Sequence, residues 1–261
     1  MSALPSCERL ALALSHDARL LTVRLAGGKG NIVDAAMMKE LHSVVDALAE
    51  RPGVRAMLLT AEGKHFSFGA SVEEHAPENV REMLGIFHGL CKAMVALHVP
   101  IAAAVRGQCL GGGMEIATLC HWIFASPTAA FGQPEVQLGV FAPVASTVLA
   151  RQIGGPRADD LLLTGRCIDT ETAMAWGLVH CIDDDPEAAA IEYLEKQILP
   201  KSGAALRFAS RAARSDLRQA MLGGELDAQE SLYLDELMAT EDACEGIASF
   251  LERRKPAWRD R

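Results

Sequence analysis

Two spacings of apolar residues alternate along the first half of the chain. Continuous apolar runs predict strands at 10–14, 20–25, 54–60, 101–105 and 122–125. Between these runs apolar residues recur at helical spacing, most clearly at Met37, Leu41, Val44 and Leu48, and at Met83, Phe87, Leu90, Met94 and Leu97. The order of two short strands and then a helix repeats about four times. Strand–helix alternation of this kind predicts an α/β fold.

The C-terminal part of the chain has a different pattern. A strand is predicted at 178–182. From 186 to 250 nearly every segment then has helical spacing. The composition shifts near Lys201, and no Pro/Ser-rich linker is present. We therefore expect a core at 1–200 that carries the functional site, followed by a helical region at 201–261.

Composition and charge exclude several classes of function. Half of the 261 residues are apolar, and the net charge of −9 disfavours nucleic acid or an anionic membrane as a partner. No apolar run approaches the ~20 residues of a membrane span, and the first residues lack the features of a signal peptide. The seven cysteines are scattered without a C-x-x-C pair, as expected for free thiols. A cytoplasmic protein is the expectation.

Candidate chemistry concentrates in the central stretch 105–139. Three glycines, Gly111, Gly112 and Gly113, precede a helix predicted at 114–120, so that free N–H groups and close backbone approach to a ligand are expected there. Glu115 lies in the predicted first turn, and Glu135 follows twenty residues later. Two carboxylates at one amide-lined site could share general acid and base work. The alternative is a simple turn followed by a glutamate that balances the helix dipole.

Other catalytic patterns are missing or weak. The glycine stretch is neither a P-loop nor a G-x-G-x-x-G motif, and the chain has no G-x-S-x-G elbow and no H-E-x-x-H zinc motif. Ser67, near Gly69, could be proposed as a nucleophile, but an ordinary loop serine is the simpler interpretation. The pair Cys120-His121 is predicted to lie inside an apolar helix, as part of the core.

Five stretches together resemble the crotonase (enoyl-CoA hydratase/isomerase) superfamily. They are HFSFGAS (65–71), IAAAVRGQCLGGGMEIA (101–117), FGQPEVQLGV (131–140), LLLTGRCIDTETAMAWGLV (161–179) and FLERRKPAW (250–258). The resemblance covers nearly the whole chain. It implies a crotonase-like spiral of repeated ββα units and a helical C-terminal region that forms trimers or dimers of trimers. It also implies a coenzyme A thioester substrate, no metal and no separate cofactor.

The resemblance further implies roles for individual residues. The backbone N–H groups of Ala70 and Gly112 would form an oxyanion hole for the thioester enolate. Glu115 and Glu135 match the two catalytic carboxylates of hydratases, and which of them is the base stays open. The remaining predicted substrate contacts are Asn31, Ile32, Phe68 and Val72 near the adenine, Gly111, Phe141 and Pro143 near the acyl group, and Arg253 and Lys255 at the phosphates. The alternative for these two cations is a solvated surface role.

One departure from simple enoyl-CoA hydratases concerns the acyl pocket. The stretch 139–146 contains Phe141 and Pro143 where such enzymes have a glycine-rich turn. Together with FGASVEEH (68–75), it resembles the hydratase branch that acts on cyclohexa-1,5-diene-1-carbonyl-CoA in anaerobic benzoyl-CoA degradation. The implied reaction adds water to a cyclic dienoyl-CoA. The alternatives are an ordinary enoyl-CoA hydratase, a non-catalytic acyl-CoA-binding protein and, remotely, a serine peptidase of related fold.

Overall fold

A computed structural model describes residues 4–261, so the first three residues of the predicted 1–200 unit lie outside the described residues. The strands in this part are β1 Leu10–Ser15, β2 Leu20–Leu25, β3 Ala56–Ala61, β4 Ile101–Val105, β5 Gln108–Leu110, β6 Trp122–Ala125, β7 Ala130–Gly132, β8 Cys167–Asp169 and β9 Cys181–Ile182. Six of them form a sheet in the order β1-β2-β3-β4-β6-β9. β1 pairs antiparallel with β2, and the other neighbours pair in parallel.

A second, smaller layer is formed by β5, β7 and β8, in which β5 and β7 are parallel. Two isolated bridges extend this layer, Ser67 with Cys109 and Val33 with Ala70. Each repeat therefore contributes one strand to the large sheet and one short strand or bridge to the small layer before its helix. The predicted repeat of ββα units is confirmed in this form, although in the first two repeats the short strand is reduced to isolated bridges, at Val33 in the first and at Ser67 and Ala70 in the second.

The helices of the described residues are α1 Ala35–Ala49, α2 Val80–Ala96, α3 Gly111–Thr118, α4 Pro143–Ile153, α5 Gly155–Thr164, α6 Thr170–Ala175, α7 Pro186–Gln197, α8 Gly203–Ala213, α9 Ser215–Leu222, α10 Glu225–Ser231 and α11 Glu241–Leu251. Short 3₁₀ turns occupy Glu73–His75, Pro134–Leu138 and Leu237–Ala239, and a π-helical turn occupies Leu232–Glu236. Asp34 caps α1 by accepting a hydrogen bond from Met37 N at 2.9 Å.

Apolar side chains cover both faces of the large sheet, as parallel sheets require. On one face Met57 and Leu59 belong to the main core, which the predicted faces of α1 and α2 complete. On the other face Leu58 packs in a smaller core with Leu194 of α7. The alternation along β3 thus places successive side chains in two different cores, which explains why this strand is continuously apolar.

The C-terminal helices pack on the helices and the turn that surround α3. α9 contacts α2 and α4, α10 contacts α4, and α11 contacts the turn Pro134–Leu138. Gly246 makes the last contact close, because a Cβ there would fall 2.0 Å from Leu138 O. Within residues 4–261, no helix combines the length and the apolar character needed to cross a membrane.

Two local predictions were wrong. The helix predicted at 114–120 begins at Gly111 and ends at Thr118, because tertiary contacts overcome the low helix propensity of glycine; Cys120 and His121 therefore follow the helix instead of lying inside it. The strand predicted at 178–182 is reduced to Cys181–Ile182. Leu178 N and Val179 N instead donate to Ala173 O, at 2.9 and 3.2 Å, and close the end of α6.

Candidate active site

The three glycines at the start of α3 let two loops approach the helix closely. Gly111 has a φ of 49°, and a Cβ there would lie 2.6 Å from Glu135 Oε1. A Cβ on Gly113 would lie 2.5 Å from Ser67 Cβ, and one on Gly112 would lie 3.4 Å from Ala70 N. A Cβ at Gly111 would displace the Glu135 carboxylate, one at Gly113 would push against Ser67, and Gly112 leaves little room beside Ala70. The glycines therefore do more than form a turn.

The loop before Ala70 is held rigid by buried hydrogen bonds. Ser67 Oγ donates to Asn31 O at 2.8 Å and accepts from Gly69 N at 3.0 Å. The Asn31 amide donates to Glu62 O and His65 O at 2.9 and 3.0 Å. The hydroxyl of Ser67 is thus occupied in supporting the loop, in agreement with the interpretation of Ser67 as a non-nucleophilic residue. Asn31 is also buried, so its side chain supports the loop.

Two backbone N–H groups are left available beside this loop. Ala70 N and Gly112 N donate to no acceptor within residues 4–261, whereas Gly69 N is already bonded to Ser67. Gly112 belongs to the first turn of α3, where N–H groups have no intrahelical partner. Both residues line the same cavity. Paired donors of this kind stabilise an oxyanion, as the oxyanion-hole prediction requires.

Glu115 is buried at one side of the cavity, with 4% of its surface exposed. It is the fifth residue of α3, not a first-turn residue as predicted, and its Oε1 accepts from Ala145 N of α4 at 2.8 Å. It therefore faces the N-terminus of a different helix, whose dipole favours a negative charge. Burial raises the pKa of Glu115 to about 7, although hydrogen bonds from the N–H groups of Ala145 and Val144 act in the opposite direction.

Glu135 lies half-buried on the 3₁₀ turn, across the cavity from α3. In the amide orientation that satisfies both groups, the Gln133 NH₂ donates to Glu135 Oε2 and Oε1 at 3.1 and 3.2 Å. Burial, followed by the charge of Glu115, raises the pKa of Glu135 to about 8. Near neutral pH the pair therefore retains bound protons that ordinary carboxylates would have lost, which allows one to act as acid and the other as base.

The cavity, of about 80 Å³, brings together most of the predicted site residues. Those that line it are Phe68, Ala70, Val72, Gly111, Gly112, Glu115, Glu135, Phe141 and Pro143. Asn31, Ile32, Arg253 and Lys255 are not part of its lining. A larger open hollow of about 570 Å³ lies between α11 and the chain end, but none of the predicted site residues lines it.

The three basic residues at 253–255, here called the basic tail, differ in their contacts. Arg254 is bonded to Glu245, with Nη2 to Oε2 at 2.7 Å, and to Glu252 at 2.5 Å. Arg253 and Lys255 are exposed and form no ion pair with any side chain of the described residues. Arg254 thus anchors the tail, and its two neighbours remain available for an anionic ligand. Their contact with phosphates stays a prediction.

Two further residues of the site escaped the sequence reasoning. Gln133 supports Glu135, and its position directly before Pro134-Glu135 could have suggested it. Tyr233 lines the cavity from the π-helical turn after α10 and contacts the ring of Phe141, with centroids 5.4 Å apart. Nothing in the sequence near Tyr233 indicates this role, because it lies about a hundred residues after the other cavity residues.

Comparisons with known proteins show the family and the fold. Residues 17–261 match the family model described as enoyl-CoA hydratase/isomerase. The cyclohexa-1,5-dienecarbonyl-CoA hydratase of Thauera aromatica is 48% identical and is aligned over 97% of each chain. A probable enoyl-CoA hydratase of Mycobacterium leprae is 35% identical over 88% of this chain and 90% of its own. The crystal structure of an enoyl-CoA hydratase from Mycobacterium avium subsp. paratuberculosis superposes with a TM-score of 0.82 at 25% identity, covering 98% of this chain and 100% of the other.

Proposed function

The chain belongs to the enoyl-CoA hydratase/isomerase family and is a hydro-lyase of acyl-CoA thioesters, and we propose that its substrate is cyclohexa-1,5-diene-1-carbonyl-CoA. The product would be 6-hydroxycyclohex-1-ene-1-carbonyl-CoA, in anaerobic degradation of aromatic compounds through benzoyl-CoA. The observation that carries hydration is the convergence of two carboxylates and two free N–H groups on one cavity. The ring substrate is supported by the relative from Thauera aromatica, which carries that name.

The geometry favours one carboxylate as the general base and the other as the general acid. Glu115 is the base, since the N–H groups of α4 stabilise its charged form. It takes a proton from water as the water oxygen bonds to the β-carbon. The thioester oxygen, now negative, is held by Ala70 N and Gly112 N. Glu135, protonated near pH 7, gives its proton to the far end of the dienolate, which completes a 1,4-addition.

The acyl end of the cavity supports a ring rather than a flexible chain. Phe141 and Tyr233 pack ring to ring there, and Pro143 opens α4 with a fixed backbone. Leu84 and Phe87 of α2 add apolar surface on the same cavity. A preformed slot between rigid walls favours a rigid ligand, because a ring loses little conformational entropy on binding.

An ordinary enoyl-CoA hydratase is the second candidate, and relatives of that description also align over most of the chain. Purified protein should be assayed with the cyclic dienoyl-CoA and with crotonyl-CoA side by side. We expect kcat/KM to favour the ring by about 10²-fold or more. Equal turnover of crotonyl-CoA would instead assign the protein to the ordinary hydratases.

A substitution at Phe141 tests the slot. We expect Phe141→Ala to lose about tenfold or more of the preference for the ring over crotonyl-CoA, because hydrophobic mismatch is worth ~1–3 kcal/mol. The matched control is Leu163→Ala, which removes an exposed apolar side chain on α5. An unchanged ratio of the two kcat/KM values in Phe141→Ala would show that Phe141 is merely packed beneath the loop.

The remaining proposals concern the coenzyme A contacts, the assembly and the location of the protein. Arg253 and Lys255 would meet the coenzyme A phosphates, and residues 31–33 would lie beside the adenine.

Residues 201–261 would mediate a homotrimer or a dimer of trimers, which is supported by exposed Phe208, Phe250 and Trp258 in that region. The reaction would use no metal and no cofactor besides the coenzyme A of its substrate, and the protein would act in the cytoplasm. Size-exclusion chromatography with light scattering tests the assembly.

A further inference from the structure

Tyr233 places an unpaired hydroxyl at the candidate active site. The residue is 1% exposed and lines the cavity together with Glu115 and Glu135. Its Oη has no hydrogen-bond partner in the described part of the chain. A buried hydroxyl is normally paired, since leaving it unpaired costs free energy that an apolar side chain would avoid. The hydroxyl is therefore expected to be satisfied by something that enters the cavity.

The two carboxylates are near the hydroxyl but do not bond to it. Burial, followed by the charges of Glu135 and Glu115, raises the pKa of Tyr233 well above its ordinary value, so the phenol stays protonated. Neither carboxylate is within hydrogen-bond distance of Oη. The three groups thus surround a space that a small polar molecule would bridge.

The position of this tyrosine is set by an unusual turn and by polar contacts on both sides of it. The π-helical turn Leu232–Glu236 inserts an extra residue after α10, and such turns often occur at functional sites. Before the turn, Glu230 Oε2 bonds to His88 Nδ1 of α2 at 2.5 Å. Within it, Asp235 bonds to Arg81 at 3.2 Å. These contacts fasten the turn to α2 and hold the phenol ring against Phe141.

We propose that Tyr233 is a third catalytic residue, whose hydroxyl hydrogen-bonds the oxygen atom that is added as water and retained as the hydroxyl of the product. This proposal rests on the proposed hydration. The tyrosine keeps its own proton throughout: one O–H bond of water breaks towards Glu115, the C–O bond forms, and the proton of Glu135 goes to carbon. The phenol fixes the orientation of the water in the addition and stabilises the departing hydroxyl in the reverse reaction.

The chain offers a matched pair of variants, because Tyr193 and Tyr233 are its two tyrosines. Tyr193 lies elsewhere, among Trp122, Phe124 and His180, at ring distances of 5.0 to 5.5 Å. We expect Tyr233→Phe to fold normally and to lower kcat by about 10–100-fold with little change in KM. Tyr193→Phe should match the wild type in both. A wild-type kcat in Tyr233→Phe would overturn the proposal.

A binding measurement separates contact with the added oxygen from a structural role. Glu115→Gln is used as background, since slow turnover there permits equilibrium binding. Adding Tyr233→Phe should weaken binding of 6-hydroxycyclohex-1-ene-1-carbonyl-CoA by about 5–10-fold. Binding of cyclohex-1-ene-1-carbonyl-CoA, which lacks the hydroxyl, should not change. Equal weakening of both ligands would show that Tyr233 only shapes the cavity, and would overturn the proposal.

A spectroscopic test requires no change at Tyr233. In Tyr193→Phe protein labelled at tyrosine Cζ, the one NMR resonance should shift when the hydroxylated thioester binds and should shift much less with the thioester that lacks the hydroxyl. Identical shifts would contradict the contact. Failure of the proposed function is distinguishable from all of these outcomes, because a wild-type protein that hydrates neither the cyclic dienoyl-CoA nor crotonyl-CoA would refute hydration before any variant is compared.

Discussion

The two ends of α3 both bury polar groups, but they use them differently. At the N-terminal end Gly112 N is free and Glu115 faces the cavity. At the C-terminal end Leu119 O and Cys120 O accept from the buried guanidinium of Arg214, at 2.7 and 3.5 Å. A helix favours anions at its N-terminus and cations at its C-terminus, so both arrangements follow from one dipole.

Both ring nitrogens of His121, at the C-terminal end of α3, form hydrogen bonds. Its Nδ1 accepts from Ile101 N at 3.1 Å, which places the proton on Nε2, and Nε2 bonds to Ser210 Oγ at 2.8 Å. Burial, followed by the charge of Arg214, lowers the pKa of His121 to about 3, so the ring is neutral. Titratable groups are buried at both ends, but the free N–H of Gly112 and the unpaired hydroxyl of Tyr233 line a cavity, whereas Arg214 and His121 are bonded to their neighbours. Free donors that face a cavity, rather than burial or a shifted pKa, distinguish the candidate site from the C-terminal end of the helix.

The largest expected effect is at the candidate site. Glu115→Gln and Glu135→Gln should each fold normally and lower kcat by ~10²–10⁴-fold, because a general acid or base contributes that much. Side chains of nearly equal shape are retained, so the melting temperature should not fall. Glu171→Gln, in the exposed first turn of α6, is the matched control and should keep full activity. Turnover near that of the wild type in either cavity variant would remove the assigned role.

At the C-terminal end of α3 the expected loss is in stability. Arg214→Met should lower the free energy of unfolding by about 2–4 kcal/mol, because it leaves buried carbonyls of Leu119 and Cys120 without their charged donor. Arg211→Met, which changes an exposed arginine on α8, is the control and should cost less than about 0.5 kcal/mol. Urea denaturation gives the stability, and kcat per folded molecule should be unchanged. A large fall in kcat with normal stability would contradict the division between the two ends.

The pH dependence of stability should have opposite signs at the two ends. The folded state raises the pKa of Glu115 and Glu135, so it binds more protons than the unfolded chain from about pH 5 to about pH 8, and stability falls as pH rises there. His121 has a lowered pKa, so its contribution is lost as pH falls from about 6.5 towards 3.

The double variant Glu115→Gln/Glu135→Gln isolates the first of these terms. Relative to the wild type, the double variant should gain several kcal/mol of stability as the pH rises from about 5 to about 9, because it lacks the two groups whose ionisation opposes folding. Urea denaturation at both pH values measures the difference. Parallel stability curves for the two proteins would show that the carboxylates titrate normally in the folded state.

The smallest expected effect lies outside both ends of α3, at the tail. Arg253→Ala/Lys255→Ala should raise KM about 3–10-fold at low ionic strength and less at high salt, since exposed charges act weakly and are screened. Arg254 is kept, because it holds Glu245. The control Lys201→Ala/Arg211→Ala removes the same charge from an exposed surface elsewhere. A KM equal to that of the control at low salt would return the pair to a solvated surface role.

Sequence alone determined the repeat and much of the site. Helical and strand spacing are local properties, so α1, α2 and the buried strands could be placed from the periods of their apolar residues. The glycines, Glu115 and Glu135 lie within one short stretch, and the motifs around them indicated the family that the comparisons confirm. The start of α3 was placed three residues late, because propensity counts glycine as a poor helix former whereas Ser67, Ala70 and Glu135 require glycine there.

What only the tertiary structure decided depends on contacts between distant segments. The N-terminus of α4 meets Glu115 thirty residues away in the chain, and the proposed assignment of Glu115 as the base depends on that contact. Arg214 reaches the end of α3 from more than ninety residues away, and Tyr233 enters the cavity from the far side of α10. Neither residue is marked by its neighbours in the sequence. The physical reason is that the hydrogen bonds of a side chain are known only after every neighbour is in place, so an unpaired hydroxyl and a bonded arginine look alike until the chain has folded.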